Sequence, residues 1–162
     1  MCRCTSQVPS ADRIAAEELV GQLVVVDVRS RASTQAGTHL TPDDLGAWER
    51  QHGPIPAGAV VALFSGRDTR VGDAREFFGL GDKGEYHFLG FHLGAVQFLH
   101  ELRKVKGIAI DTLSLDPGTS TDFPPHHSWL GHRKWGLENV ANLGQIPATG
   151  GTIVVGAPKI AG

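Results

Sequence analysis

The chain has 162 residues, of which 41% are hydrophobic and 20% are charged, and its formal net charge is −2. These values are typical of one globular domain whose core needs neither a disulfide nor a metal to hold it together. The lack of a basic excess argues against sequence-independent binding to nucleic acid. The lack of a run of roughly 20 apolar residues argues against a membrane span.

The first ten residues contain both cysteines of the chain, Cys2 and Cys4, and no apolar segment of the kind found in secretory signals. One residue between two cysteines is too few for a zinc knuckle, and no second pair is present to complete four ligands. We interpret residues 1–10 as a disordered segment with two reduced thiols. The expected location is therefore the cytoplasm.

The next segments alternate between helix-like and strand-like patterns. Residues 11–20 carry the apolar spacing of a short helix, and residues 23–28 are a β-branched run typical of a buried strand. Residues 30–40 are polar and predict a loop.

A second helix is predicted over residues 41–52. Thr41 can cap it, Pro42 suits its first position, and Gly53 can end it. Residues 59–64 then predict a second buried strand.

The middle of the chain begins with a glycine-rich stretch at residues 65–88, which predicts a long functional loop. Apolar residues then recur on one helical face over residues 91–106, and Gly107 is a suitable end for that helix. Residues 108–110 begin a third strand, and residues 111–122 form a polar loop.

The last elements are a short segment at residues 136–142 and a fourth strand at residues 152–155. Strands that alternate with helices indicate the α/β class, with a sheet that is at least partly parallel.

Two short motifs point to chemistry and are each better explained otherwise. The segment from Asp27 to Arg29, followed by a glycine and His39, resembles the opening of a rhodanese-like sulfurtransferase. That chemistry needs a thiolate, and no cysteine follows Cys4. His39 and Asp43 have the spacing of two metal ligands, but Asp43 is explained as a carboxylate in the first turn of a helix.

The third group of residues comprises His126 and His127, which follow two prolines, together with Glu138. Imidazole and carboxylate groups are standard ligands for zinc or manganese. We expect Pro124 and Pro125 to hold the histidines in an extended, rigid segment. The alternative is a proline-rich surface turn with no chemical role.

The segments around these residues resemble the cyclase family, whose members include bacterial kynurenine formamidases and isatin hydrolases. The resemblance rests on residues 107–116, 123–127 and 137–143, and it extends over about residues 11–160. Residues 111–118 and 138–143 look most like the isatin hydrolase branch.

The resemblance implies a compact, mixed-sheet α/β domain with a β/β/α arrangement, usually as a homodimer. It also implies hydrolysis of a small aromatic amide by a water activated by Zn²⁺ or Mn²⁺, as in the arylformamidase step of tryptophan catabolism. On this interpretation His126 and Glu138 both lie at the metal site and are the catalytic residues, each as a metal ligand or as a proton shuttle. No nucleic acid or membrane is expected as a partner.

The sequence departs from the family at the main metal motif. In the family, His-x-Gly-Thr-His-x-Asp precedes the strand that matches residues 23–28, whereas residues 1–10 contain neither His nor Asp. The string at residues 37–39 follows that strand, and Thr41 stands where the Asp is required. The chain also stops before the family's last glycine-rich segment.

We therefore expect residues 11–162 to form a partial domain, incomplete at both ends. Two hypotheses follow. The chain is either a metal-dependent amidohydrolase or a truncated, non-catalytic remnant that cannot hold the metal. A third possibility is a non-catalytic subunit that pairs with a complete homologue.

Overall fold

A computed structural model of the protein describes residues 11–34 and 38–158. Five strands form its main sheet, in the spatial order β6 (Trp135–Leu137), β5 (Gly107–Ile110), β3 (Val60–Phe64), β1 (Val20–Asp27) and β7 (Gly151–Val154). The first four strands are parallel, and β7 runs antiparallel to β1. The predicted α/β class with a mixed sheet is confirmed.

A short parallel pair lies outside this sheet and joins β2 (His39–Leu40) to β4 (Gly90–Phe91). The helices are α1 (Arg29–Ala32), α2 (Pro42–His52), α3 (Ala74–Phe78), α4 (Leu93–Gln97, continued by a π turn at Phe98–Leu102) and α5 (Pro124–Gly131). Single 3-10 turns occur at Ala11–Arg13, Ala16–Glu18, Arg67–Arg70 and Leu143–Gln145. None of the helices in the described ranges has the length and apolar character needed to cross a bilayer.

The main sheet buries both of its faces, because side chains alternate along each parallel strand. The helices pack on one face of the sheet. The fully buried residues between the helices and this face include Val24, Leu45, Leu99, Ile108 and Trp129. The other face is smaller and contains Leu23, Val25, Ala62, Phe64 and Leu143. The larger cluster fixes α4 and α5 against the sheet.

The helix predicted over residues 41–52 is confirmed, and its start is fixed locally. The Thr41 side chain accepts a hydrogen bond from the amide of Asp44, whose carboxylate accepts one in return from the Thr41 amide. This reciprocal cap satisfies two amides that the helix itself cannot bond. Trp48 then anchors the helix to the sheet by donating from its indole Nε1 to the Val25 carbonyl at 2.9 Å.

One predicted helix was wrong, and a second was predicted with bounds that are too wide. Residues 11–20 form only the two short 3-10 turns, and β1 begins at Val20. The helix predicted to run to residue 106 ends at Leu102, and Gly107 begins β5 rather than ending a helix. The predicted loops are also partly ordered, since α1 and β2 lie within residues 30–40 and α3 lies within residues 65–88.

A part-buried ion pair ties α2 to the segment after α4. Glu49 accepts two hydrogen bonds from the Arg103 guanidinium, at 2.5 and 2.7 Å, and a third from the Ile55 amide. The Glu49 side chain is 13% exposed. These bonds, chiefly the one from Arg103, hold the pKa of Glu49 below its usual value of 4.5 against the opposing effect of burial.

We expect Glu49→Gln to lower the free energy of unfolding by about 1–3 kcal/mol at pH 7, because it removes a charged hydrogen-bond acceptor. A carboxylate whose pKa is depressed by folding stabilises the fold above its unfolded pKa, and that contribution is lost as pH falls. The difference between parent and variant should therefore shrink below about pH 4.5. Urea denaturation at several pH values measures this. Glu101→Gln, at an exposed position, is the matched control, and an equal loss in both would contradict the assignment.

Candidate active site

The candidate residues lie at the carboxyl ends of two neighbouring parallel strands. The loop that follows β5 carries Asp116, Glu138 follows directly after β6, and His126 lies in the first turn of α5. Ligands of α/β proteins usually bind at this edge of the sheet. The structure therefore brings together His126 and Glu138, the two residues that the sequence predicted.

His126 lies between two carboxylates. Its Nδ1 is 2.5 Å from Oδ2 of Asp116, and its Nε2 is 3.1 Å from Oε1 of Glu138. Asp116 is fully buried, whereas the side chains of His126 and Glu138 are 27% and 33% exposed. The imidazole therefore bridges a buried carboxylate to one that solvent can reach.

The partners of the imidazole determine what its outer nitrogen can do. The backbone amide of His126 donates a hydrogen bond to Asp116 Oδ2 at 3.1 Å. The same oxygen is also the partner of the ring nitrogen Nδ1. An ionised carboxylate only accepts, which assigns a proton to Nδ1. In the neutral ring, Nε2 then presents a lone pair towards a Glu138 oxygen. The Nε2 atom of His126 and the Oε1 atom of Glu138 are 3.1 Å apart, and their lone pairs repel each other unless a proton or a cation lies between them.

Glu138 is held from the opposite side by the backbone. Its Oε1 accepts a hydrogen bond from the Leu115 amide at 3.0 Å. The following residue, Asn139, adopts a left-handed conformation at φ 59° and donates its amide to the Thr112 carbonyl. This turn fixes the direction in which the Glu138 side chain leaves β6.

Helix α5 places His126, and here the prediction of an extended segment was wrong. Pro124 and Pro125 occupy the first positions of the helix, where a missing amide costs nothing. Phe123 precedes them in a left-handed conformation at φ 49° and turns the chain into the helix. His127 is exposed on the helix, and no hydrogen bond or ion pair involves its side chain within the described residues.

The loop that carries Asp116 is pressed against β4. A Cβ atom added at Gly90 would lie 2.3 Å from the backbone carbon of Asp116 and from the nitrogen of Pro117. The Phe91 amide donates to the Leu115 carbonyl at 2.7 Å, and Thr112 donates its hydroxyl to the Leu89 carbonyl at 3.0 Å. Only glycine at position 90 allows this approach, which fixes the buried carboxylate.

The carboxylate at the start of the same loop has a separate task. Asp111 is fully buried and accepts hydrogen bonds from the Ser65 amide and hydroxyl and from the Arg67 amide. Burial is the largest influence on it and raises its pKa above the usual value. Asp111 therefore binds the end of β3 to the end of β5.

An aromatic pocket of about 500 Å³ has Phe123, a ring neighbour of His126, in its wall. Its aromatic lining consists of Phe78, Tyr86, Phe88 and Phe123. The rings of Phe123 and His126 meet edge to face, with centroids 6.2 Å apart. Phe78, Tyr86 and Phe123 are each more than one third exposed, which is unusual for side chains of this size unless they line a binding surface. These rings form an aromatic wall of the pocket.

The other sequence candidates lie elsewhere. His39 packs against His92, with ring centroids 5.0 Å apart, on the short pair of strands. Burial, followed by the charge of His92, lowers the pKa of His39. Asp43 is exposed in the first turn of α2, as predicted. The prediction for residues 1–10, with Cys2 and Cys4, lies outside the described residues.

Asp116 is the residue that sequence reasoning missed. It lies within a segment that resembles the cyclase family, but no local pattern marks it as the partner of a histidine ten positions later. The sequence points to Asp116 only indirectly, through the proline that follows it and favours a turn at this position. Within residues 11–34 and 38–158, no three His, Cys, Asp or Glu side chains converge to hold a metal ion.

Comparison with known proteins identifies a family and similar proteins. The Cyclase family model matches residues 2–117 of the chain. A curated isatin hydrolase from Roseibium aggregatum is 28% identical over 153 residues, which is 92% of this chain and 57% of that protein.

Solved structures extend the likeness to the fold. Isatin hydrolase A from Labrenzia aggregata, bound to benzyl benzoate, superposes with a TM-score of 0.90 at 32% identity, over 97% of this chain and 62% of that one. Isatin hydrolase A from Ralstonia solanacearum gives 0.89 at 36% identity, over 94% and 59%. The chain thus spans about three fifths of the length of these relatives.

Proposed function

The chain belongs to the Cyclase family, and on that premise we propose that it takes part in metal-dependent hydrolysis of a small aromatic amide. The C–N bonds of isatin and of N-formylkynurenine are the candidate targets, and Zn²⁺ or Mn²⁺ is the candidate metal. The single observation that carries the proposal is the convergence of His126 Nε2 and Glu138 Oε1 at 3.1 Å. The isatin hydrolase relatives support the substrate class.

The residues fit one side of a metal site. An imidazole nitrogen and a carboxylate oxygen are ligands that Zn²⁺ and Mn²⁺ accept. Asp116 supplies the outer hydrogen bond that orients metal-bound histidines in proteins. The described residues offer no third ligand, so the remainder of the shell has to come from water, a second chain or residues beyond those described.

The chain's own residues have defined tasks in such a reaction. A divalent ion bound there supplies polarisation of the amide carbonyl and acidification of water. Asp116 holds the imidazole in one orientation through its ring and backbone donors. If Oε1 of Glu138, which the Leu115 amide holds, binds the ion, the other oxygen of this carboxylate, Oε2, would accept a proton from the attacking water and return it to the leaving nitrogen. The rings of Phe88 and Phe123 hold the aromatic part of the substrate.

The alternative is a non-catalytic chain that pairs with a complete homologue. The observation in its favour is the missing third ligand within the described residues. Two donors alone hold a divalent ion weakly, because structural and catalytic zinc sites use at least three protein ligands.

The test combines metal content with turnover. We expect the purified protein, reloaded with Mn²⁺ or Zn²⁺ after chelation, to retain about one ion per chain and to hydrolyse isatin or N-formylkynurenine. Atomic emission and loss of substrate absorbance are the measurements. Retention of no ion, together with no turnover, would overturn the enzyme proposal. Co-elution of this chain with a complete isatin hydrolase in size-exclusion chromatography would then support the non-catalytic partner.

A further inference from the structure

A second, larger pocket lies at the opposite end of the sheet, where β5 and β6 begin. Its volume is about 760 Å³, within the range of pockets that hold small molecules. Six basic side chains line it, and they are Arg13, Lys104, Lys106, His132, Arg133 and Lys134. Glu18 is the one carboxylate among the lining residues. The chain as a whole carries a net charge of −2, so this local excess is not a result of composition.

Two of these cations have partners in the fold. Lys106 donates to the carbonyls of Glu17 and Val20, at 2.8 and 3.0 Å, and Lys134 donates to the carbonyl of Val105. Three others, Arg13, Lys104 and Arg133, are exposed and form no salt bridge with any described residue. Three unpaired cations around one concave surface repel one another, and an anion would relieve that repulsion.

The pocket near the carboxyl ends of β1 and β3 shows the contrast. It contains three arginines, of which Arg29 is paired with Asp27 at 2.7 Å and Arg70 with Glu76 at 3.1 Å. The third, Arg67, donates to two backbone carbonyls. Two of its three positive charges are therefore neutralised by carboxylates of the protein. The pocket at the start of β5 and β6 lacks such partners, so its charge is available to a ligand.

The backbone brings two of the unpaired cations to this pocket at a cost. Lys104 and Arg133 adopt left-handed conformations, at φ 53° and 58°. Each lies just past a helical segment, at the position where glycine is usual because it adopts this conformation without strain. The sequence places a long cationic side chain at both positions instead, and both line the same pocket.

The pKa shifts of two neighbouring groups agree with an excess of positive charge around this pocket. Burial, followed by the charge of Lys104, lowers the pKa of Lys134. Burial and then His132, Lys134 and Lys104 lower the pKa of His100, whose ring stacks on His132 at 3.8 Å. Glu18 and Glu101 act in the opposite direction and do not reverse these shifts.

We propose that this pocket binds a small phosphorylated molecule. Arg13, Lys104 and Arg133 bind the phosphate group, whose charge of about −2 near neutral pH exceeds that of a carboxylate and matches the unpaired cations. The carbon part of the ligand packs on the apolar lining formed by Leu130 and Trp135. The site is separate from His126 and does not depend on the proposed hydrolysis.

The test uses calorimetric titration of the full chain with pyrophosphate and with adenosine monophosphate at low ionic strength. We expect saturable binding at one site per chain, weakened by added salt because exposed charges are screened. The variant is Lys104→Gly with Arg133→Gly, which removes both charges and suits both left-handed positions. We expect its affinity for both probes to fall at least tenfold while its thermal midpoint is no lower than that of the parent.

The control is Arg50→Gln with Lys83→Gln, which removes the same charge from exposed positions elsewhere on the chain. It should bind both probes as the parent does. The proposal is overturned if neither probe binds saturably, if the double glycine variant binds as tightly as the parent, or if the control loses the same affinity.

Discussion

Replacing His126 with alanine should reduce the affinity of the chain for Mn²⁺ or Zn²⁺ at least tenfold and any amide hydrolysis by about 10²–10⁴. The reason is that the imidazole supplies the nitrogen that faces Glu138 at 3.1 Å and is the contact through which Asp116 acts. Metal titration by calorimetry and initial rates with isatin measure the two losses separately.

The matched control is His127→Ala, because the neighbouring imidazole is exposed on the same helix and outside the bridge. It should change neither quantity by more than about twofold. Asp116→Asn keeps the size of the buried side chain and weakens the orienting bond, so an intermediate loss of about 10–100-fold is expected. Equal losses in the two histidine variants would show that His126 has no special role.

Replacing Trp129 with alanine should lower the free energy of unfolding by about 3–5 kcal/mol, the usual cost of truncating a buried aromatic residue. Trp129 is fully buried in the larger core cluster, and its indole donates to the Trp135 carbonyl at 2.8 Å. For a chain of this length the midpoint of thermal unfolding should fall by about 6–20 °C. Calorimetry or urea denaturation provides the measurement.

Leu130→Ala is the control for this loss, because Leu130 is 39% exposed on the same helix and should cost less than about 1 kcal/mol. Trp129→Phe separates packing from hydrogen bonding, since it keeps most of the buried ring but leaves the Trp135 carbonyl without its donor. A result in which Trp129→Ala is as stable as Leu130→Ala would contradict the central position of Trp129. Because Trp129 joins α5 to β6, the alanine variant should also loosen His126 relative to Glu138.

The parts of the fold that could be predicted are those whose causes are local. The reciprocal cap between Thr41 and Asp44 spans four residues, and the buried strands appear as continuous apolar runs. The helix over residues 91–106 could not be delimited in this way. Its apolar pattern continues past Leu102, but Lys104 turns left-handed and Val105 joins the core next to β5.

The same difference between local patterns and long-range contacts decides which residues of the candidate site could be predicted. His126 and Glu138 could be predicted because their residue types and the family resemblance of the segments around them can be read from the amino-acid sequence alone. The role of Asp116 depends on contacts between distant segments, since the loop after β5 is held by the amide of Phe91 and lies against Gly90. The extended conformation expected around His126 failed because proline permits the first turn of a helix as readily as it interrupts one.

The pairing of β7 with β1 bears on the order in which the chain folds. Val20 is aligned with Val154, 134 positions later, and the Val25 amide donates to the Ala148 carbonyl. Contacts between such distant residues close large loops and are made late and slowly. During synthesis this side of β1 stays open until residue 154 has left the ribosome, and an open strand edge can pair with another chain. Until β7 covers it, this edge of β1 is the part of the sheet where a second chain can pair.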